Sequence, residues 1–288
     1  MSMRLKKGFR IVLLLVIIIL NIFLCWFSYH NFINYSKLSY IDIIKYNDEP
    51  IYREHIDEFD IKESNYIEEY YERYVAYKKK HSDYSDDKII TYVNIGLDHE
   101  FYTNMENTDM SDGYLIICNK YHTLKSDYVP NLVSLNGYGG GYLEKEAAKH
   151  FKEMADAAKG EGIKVYNISG YRSYNTQKSL YNSYVSRDGK SKADTYSARA
   201  GTSEHQTGLA TDINSVSTSF ETTQTYKWLS KNAYKYGFIL RYPKGKEYIT
   251  GYMYEPWHYR YVGVNVAKII YEKNITYEEY YATYILKG

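Results

Sequence analysis

The stretch GTSEHQTGLATDIN, residues 201–214, sets His205 and Asp212 on either side of Gly208. A second stretch, EPWH at residues 255–258, carries Glu255 and His258. Two imidazoles and one carboxylate form a tripod able to hold a divalent metal, and a fourth position left to water makes such a centre catalytic rather than structural. Glu255 then stands as the base. The helical His-Glu-x-x-His signature of common zinc proteases is absent, so the site has to be assembled from segments distant in sequence.

Working outward, residues 207–213 alternate as a strand does, with Leu209, Thr211 and Ile213 on one face and Ala210 and Asp212 on the other. Asp212 can therefore face the site while its neighbours face a core. Upstream, Leu143, Ala147, Phe151, Met154 and Ala158 form one apolar stripe that stops at Gly160, which predicts a helix packed on a sheet. Residues 163–168 read as the following strand, delivering Ser169, Gly170, Tyr171, Arg172 and Ser173 to a strand end, where functional side chains often project. Further helices are expected over 175–187, 192–198, 220–236, 264–273 and 277–286. Strands are expected at 89–93, 114–118 and 132–135, with 238–241 and 247–254 as a hairpin across Pro243, Lys244 and Gly245. The loop NGYGGGY at 136–142 lacks the Gly-Lys-Ser/Thr ending of a phosphate cradle and reads as a flexible connection.

The N-terminal part has a different character. Residues 11–27 are almost continuously apolar, broken only by Asn21, and Arg4, Lys6, Lys7 and Arg10 precede them. Such a run sits at the short end of what spans a bilayer, and its basic flank belongs on the cytoplasmic side. No small-x-small cleavage site follows it, so an uncleaved anchor is expected, with the rest of the chain outside the cell. Residues 29–88 are polar and tyrosine-rich and read as a partly helical stem: Ile67, Tyr70, Tyr74 and Tyr77 recur at helical spacing over 64–81. The expected organisation is therefore a cytoplasmic tail and transmembrane anchor at 1–28, a stem at 29–88 and a catalytic domain at 89–288.

Composition removes some function classes. The chain's 36 basic and 35 acidic residues nearly cancel, and no basic face argues for nucleic acid. The only cysteines are Cys25, inside the apolar run, and Cys118, in the apolar run YLIIC, so a disulfide joining them and a thiolate metal site are both disfavoured. Tyrosine is abundant at 38 residues, a bias that an AT-rich genome accounts for as readily as function does. Arg241 and Arg260 read as paired surface or strand charges, and the histidines outside the two motifs as packing or surface residues.

The runs SGYRSYNTQ (169–177), GTSEHQTGLATDI (201–213) and EPWHYRYVG (255–263) together resemble the VanY-type family of zinc D-alanyl-D-alanine carboxypeptidases, which trim bacterial peptidoglycan stem peptides. The resemblance covers roughly residues 89–281. It implies an α+β fold, a small antiparallel sheet with the metal on one face and helices on the other. It further implies Zn2+ held by His205, Asp212 and His258, a general base at Glu255 and a catalytic arginine at Arg172. Ser203 and Gln177 match substrate-binding positions, Ser203 toward the terminal carboxylate. Trp257 is expected to wall the metal off from water. Two other readings stay open: cleavage after an L-residue or inside a cross-link with the same metal, and a domain that only binds wall peptides.

Overall fold

The structure, a computed structural model, describes residues 55–286. The expected anchor at 11–27 and the first part of the stem lie outside the described residues. Among the described residues no helix is long and apolar enough to cross a membrane.

Helices α1 (Tyr71–Lys80) and α2 (Asp86–Asn94) come first. The run 89–93, expected as a strand, is the body of α2. Ser85 caps it by accepting from the Lys88 amide, and Asp86 and Asp87 fill the first turn, where the helix dipole favours negative charge. A five-residue apolar run cannot by itself distinguish strand from helix. Ile89, Ile90 and Val93 are fully buried together with Tyr66 and Tyr74, in a cluster that also holds Ile249 and Ala282. Residues Glu54–Gly288 form one compact unit. From His55 onward, then, the expected stem is packed on the domain that follows it, with Tyr66, Tyr74 and Tyr77 buried in its core and Tyr70, Tyr71 and Tyr84 packed against them.

A parallel bridge of β1 (Glu106–Asn107) and β2 (His122–Thr123) and an antiparallel pair, β3 (Leu132–Ser134) with β4 (Tyr142–Glu144), lead to α3 (Lys145–Gly160). Next come β5 (Asn167–Ser169), α4 (Tyr174–Asp188), α5 (Lys190–Ala193), β6 (Ala210–Ile213) and α6 (Gln224–Asn232). The chain ends with β7 (Phe238–Leu240), α7 (Glu247–Thr250), β8 (His258–Tyr261), α8 (Val264–Lys273) and α9 (Tyr277–Tyr284). Strands β5, β6, β8 and β7 form, in that order, an antiparallel sheet. The α+β fold with small antiparallel sheets is thus the one expected.

One face of this sheet is closed by α3, whose Ala147, Phe151, Met154 and Ala158 pack with Leu209, Ile213, Tyr259 and Tyr261. Because strand side chains alternate, Asp212 and His258 point to the other face. The hairpin expected at 238–254 is not formed: β7 pairs with β8, and Glu247–Thr250 is a helical turn stopped by Gly251 at φ 75°. All four residues of β8 are buried, so it offers β7 a partner with a core on one side and the site on the other. The run 114–118 is extended only after a 3-10 turn, Met110–Leu115. Its carbonyls of Tyr114 and Ile116 accept from the Arg260 guanidinium instead of from a strand. The helix expected at 220–236 is divided into the 3-10 turn Thr218–Thr222, α6 and the 3-10 turn Ala233–Tyr236.

The glycine loop is not a loose tether. Gly139 has φ +104°, and a Cβ there would lie 2.1 Å from the Asn167 carbonyl oxygen, so only glycine allows this approach. The loop is bound to β5 twice, by Asn167 N–H to the Tyr138 carbonyl and by the Asn167 amide to the Gly140 carbonyl. Asn167 also accepts from the Thr211 hydroxyl at 2.7 Å. Through these bonds the loop fixes the strand that leads to Arg172.

Candidate metal and active site

Three adjacent strands place the chemistry side by side. In the sheet register Asp212 lies opposite His258 on one side and Ser169 on the other, and directly paired residues share a face. His205 arrives from the 3-10 turn Glu204–Thr207, which ends in left-handed Gly208. A Cβ at Gly208 would meet the Glu144 amide nitrogen at 2.9 Å, so glycine lets the turn seat against β4. One ligand-capable atom each from His205, Asp212 and His258 lie within 4.8 Å of one another, all three residues buried.

The geometry assigns the nitrogens. His205 Nδ1 sits 2.7 Å from the Gly170 carbonyl; a carbonyl only accepts, so Nδ1 carries the proton and Nε2 is left free. That Nε2 is 3.4 Å from Asp212 Oδ2. His258 presents Nδ1, 3.2 Å from Asp212 Oδ1 and 3.5 Å from Glu255 Oε2. Asp212 Oδ1 is buried without a hydrogen-bond partner among the described residues. An orphaned carboxylate oxygen beside two imidazole nitrogens, one of them left free by its own hydrogen bond, is a donor set that a divalent cation satisfies.

Charge in the cluster is tightly interdependent. Burial alone would raise the Asp212 carboxyl, but the two imidazoles outweigh it and hold it well below the usual carboxylate range. Burial pushes the Glu255 carboxyl up to about 8, with the Asp212 charge adding to the rise. For His258, burial opposes the cation, yet the Asp212 and Glu204 carboxylates beside it lift it to about 9. His205 is lowered, by burial first and then by the Arg172 charge.

Arg172 follows β5 and is held on three sides. Its amide donates to the His205 carbonyl at 3.0 Å, its Nη1 to Gln177 Oε1 at 2.6 Å and its Nη2 to Ser169 Oγ at 2.9 Å. Nη2 is 3.8 Å from Asp212 Oδ2. Gln177, expected to face substrate, does line the cleft, but its amide is taken up inside the protein: Nε2 donates to the Ala198 carbonyl at 2.7 Å and Oε1 accepts from Arg172. Its position is that of a brace for Arg172. Ser203 lines the cleft, and its hydroxyl does not cap the turn it precedes. Glu255 and Trp257 also line it, Glu255 entering from the turn that leads into β8. The cleft has a volume of about 550 Å³ and is lined, besides the tripod, by Tyr184, Arg187, Tyr196 and Val216.

Several residues around this site had no signal in the sequence. Tyr242 packs on the His258 ring at 4.7 Å between centroids. Arg241 and Arg260, expected as surface or strand charges, are buried side by side on Glu204. Only the sheet register, which sets Arg260 opposite Ala210 and Ile239, brings them to the residue just before His205.

A family model described as VanY, D-alanyl-D-alanine carboxypeptidase, matches residues 140–264. The D-alanyl-D-alanine carboxypeptidase of Enterococcus faecalis is 36% identical over 190 residues, 63% of this chain and 70% of that protein. Among solved structures, that of the LdcB LD-carboxypeptidase, which concerns peptidoglycan recognition, aligns with a TM-score of 0.60 at 42% identity, covering 66% of this chain and 94% of the other. A mutant of the vancomycin-resistance D,D-pentapeptidase VanY from a VanB-type cassette, in complex with Zn(II), aligns with a TM-score of 0.52 at 36% identity, covering 58% of this chain and 98% of the other.

Proposed function

The chain belongs to the VanY family of D-alanyl-D-alanine carboxypeptidases, and on that premise we propose that it is a membrane-anchored, zinc-dependent D,D-carboxypeptidase that removes the terminal D-alanine from peptidoglycan stem pentapeptides. The observation that carries this reading is the convergence of His205, Asp212 and His258 on one another, with Glu255 and Arg172 beside them, in the cleft. His205, Asp212 and His258 are the metal ligands. When bound, zinc supplies the charge that makes a water acidic enough to attack a peptide carbonyl near neutral pH. Glu255 takes the proton of the attacking water and returns it to the leaving amine, so that a C–O bond forms as the C–N bond breaks. Arg172, permanently cationic and braced by Gln177 and Ser169, opposes the negative charge that develops on the carbonyl oxygen.

Ser203, with a hydroxyl available at the cleft, is assigned to the substrate's free carboxylate, one residue beyond the scissile bond. That grip makes an exopeptidase. A peptide blocked at its C-terminus leaves the buried donors unpaired, at about 1–3 kcal/mol each. Pentapeptide and tetrapeptide stems offered at equal concentration should therefore lose one alanine from the pentapeptide alone by mass spectrometry, and Ser203→Ala should raise KM. Undiminished cleavage of amidated C-termini would remove the carboxylate grip. The second reading, L,D-carboxypeptidase action, draws support from the LdcB likeness and from a cleft that continues along α4 toward Tyr184 and Arg187. Preferential trimming of the tetrapeptide would establish it.

The anchor is part of the same proposal and rests on the apolar run at 11–27 and its basic flank. Protease added to intact protoplasts should release the catalytic domain. Protection of that domain until lysis would reverse the topology.

A further inference from the structure

Glu204 stands between Ser203 and His205, and it faces away from the cation site into a buried ion cluster. Its Oε1 accepts from Arg241 Nε at 2.8 Å and from Arg260 Nη1 at 2.9 Å. Arg241 is in turn held by both oxygens of Glu278 on α9. Charge balance for the two arginines thus uses one oxygen of Glu204 only. The other, Oε2, is buried with no hydrogen-bond partner among the described residues, and so is His258 Nε2. These two orphaned atoms face each other at 3.7 Å, a gap that closes to a hydrogen bond with a movement of a few tenths of an ångström.

We propose that Glu204 is a positioning residue for His258: its Oε2 accepts the Nε2 proton of the imidazole, which fixes the tautomer and ring orientation in which Nδ1 is the nitrogen turned to the metal. The inference rests on the proposed metal centre. Two features of the structure support it. The imidazole can offer Nδ1 to a cation only if its proton is on Nε2, and Glu204 Oε2 is the buried acceptor beside that nitrogen. The arginines then have a purpose beyond neutralisation, because two guanidinium donors on Oε1 hold the carboxylate with Oε2 directed at the ring.

The test is the Zn2+ affinity of the full chain, measured by competition with a chromophoric chelator, for the wild type, Glu204→Gln and Glu278→Gln. Both substitutions replace one carboxylate of the buried cluster by an amide, but only in Glu204→Gln, where the two arginines claim the single amide oxygen, does an NH2 group that cannot accept face His258. The expected result is a Zn2+ Kd about 10–100-fold higher for Glu204→Gln, an altered visible spectrum of its Co2+ form, and a Glu278→Gln protein that binds as the wild type does. Equal weakening by both variants, or wild-type affinity in Glu204→Gln, would overturn the proposal. Should Glu204→Gln not fold, nitrogen NMR of Zn2+-loaded wild type decides: the His258 ring should carry its proton on Nε2, and a proton on Nδ1 refutes the assignment. A wild type that binds no Zn2+ would instead refute the metal centre itself.

Discussion

Glu255→Ala is expected to purify with its metal at the wild-type stoichiometry and to lose turnover by about 10²–10⁴-fold, the range a positioned general base contributes. The separation of the two properties follows from geometry. Glu255 Oε2 lies beside the tripod, 3.5 Å from His258 Nδ1, whereas the ligand-capable atoms that gather are those of His205, Asp212 and His258. On the proposed mechanism, removing Glu255 therefore leaves the three proposed ligands in place and takes away the proposed base. His258→Ala is the necessary contrast, since it removes one of the three proposed ligands and should lose metal and activity together. Metal content by mass spectrometry, read beside kcat, separates the two. A Glu255→Ala protein that was metal-free, or that turned over normally, would reverse the roles.

The fold should collapse in one steep transition not far above pH 10. Burial raises the phenols of Tyr74, Tyr121, Tyr252 and Tyr277 far above their ordinary value, while in an unfolded chain each ionises near pH 10. Above that pH the native state keeps protons that the unfolded state has released, so stability is complete below about pH 10 and falls as pH rises. Each fully protected phenol then costs about 1.4 kcal/mol per pH unit. By pH 11 these four together remove about 6 kcal/mol, against a total of about 5–15 kcal/mol for an ordinary domain. Tyrosinate absorbance and circular dichroism should therefore change together. A gradual phenol titration with the dichroism intact would contradict the burial of these rings.

The tyrosine abundance that a base-composition bias explains at the level of counting is, in three dimensions, a large share of the core. Tyr66, Tyr74, Tyr277 and Tyr280 are among the largest side chains fully removed from solvent. Counting residues does not reveal this, because a tyrosine is equally at home on a surface with its hydroxyl in water and in a core. The same holds for charge. Arg241 and Arg260 read as paired surface or strand charges, by the general habit of charged residues, and their burial with Glu204 and Glu278 depends on partners that are 37 to 56 residues apart along the chain.

What the sequence determined by itself is the set of side chains that meet. His205 and Asp212 are separated by a turn and a short strand, Glu255 and His258 by a tight turn, and Arg172 follows a strand, so each short-range geometry was legible in its own motif. The helix α3 was equally plain, because a stripe recurring at helical spacing over sixteen residues has no competing period. The tertiary structure alone decided how those motifs are joined and braced. It turned 89–93 into a capped helix, gave β7 to β8 in place of a local hairpin and packed the tyrosines after Glu54 onto the domain. It also placed Glu204 against the back of His258. The physical reason is the range of the interaction: caps, turns and periodicity act within a few residues and are written in order, whereas strand pairing and the satisfaction of buried charge depend on what the folded chain brings alongside.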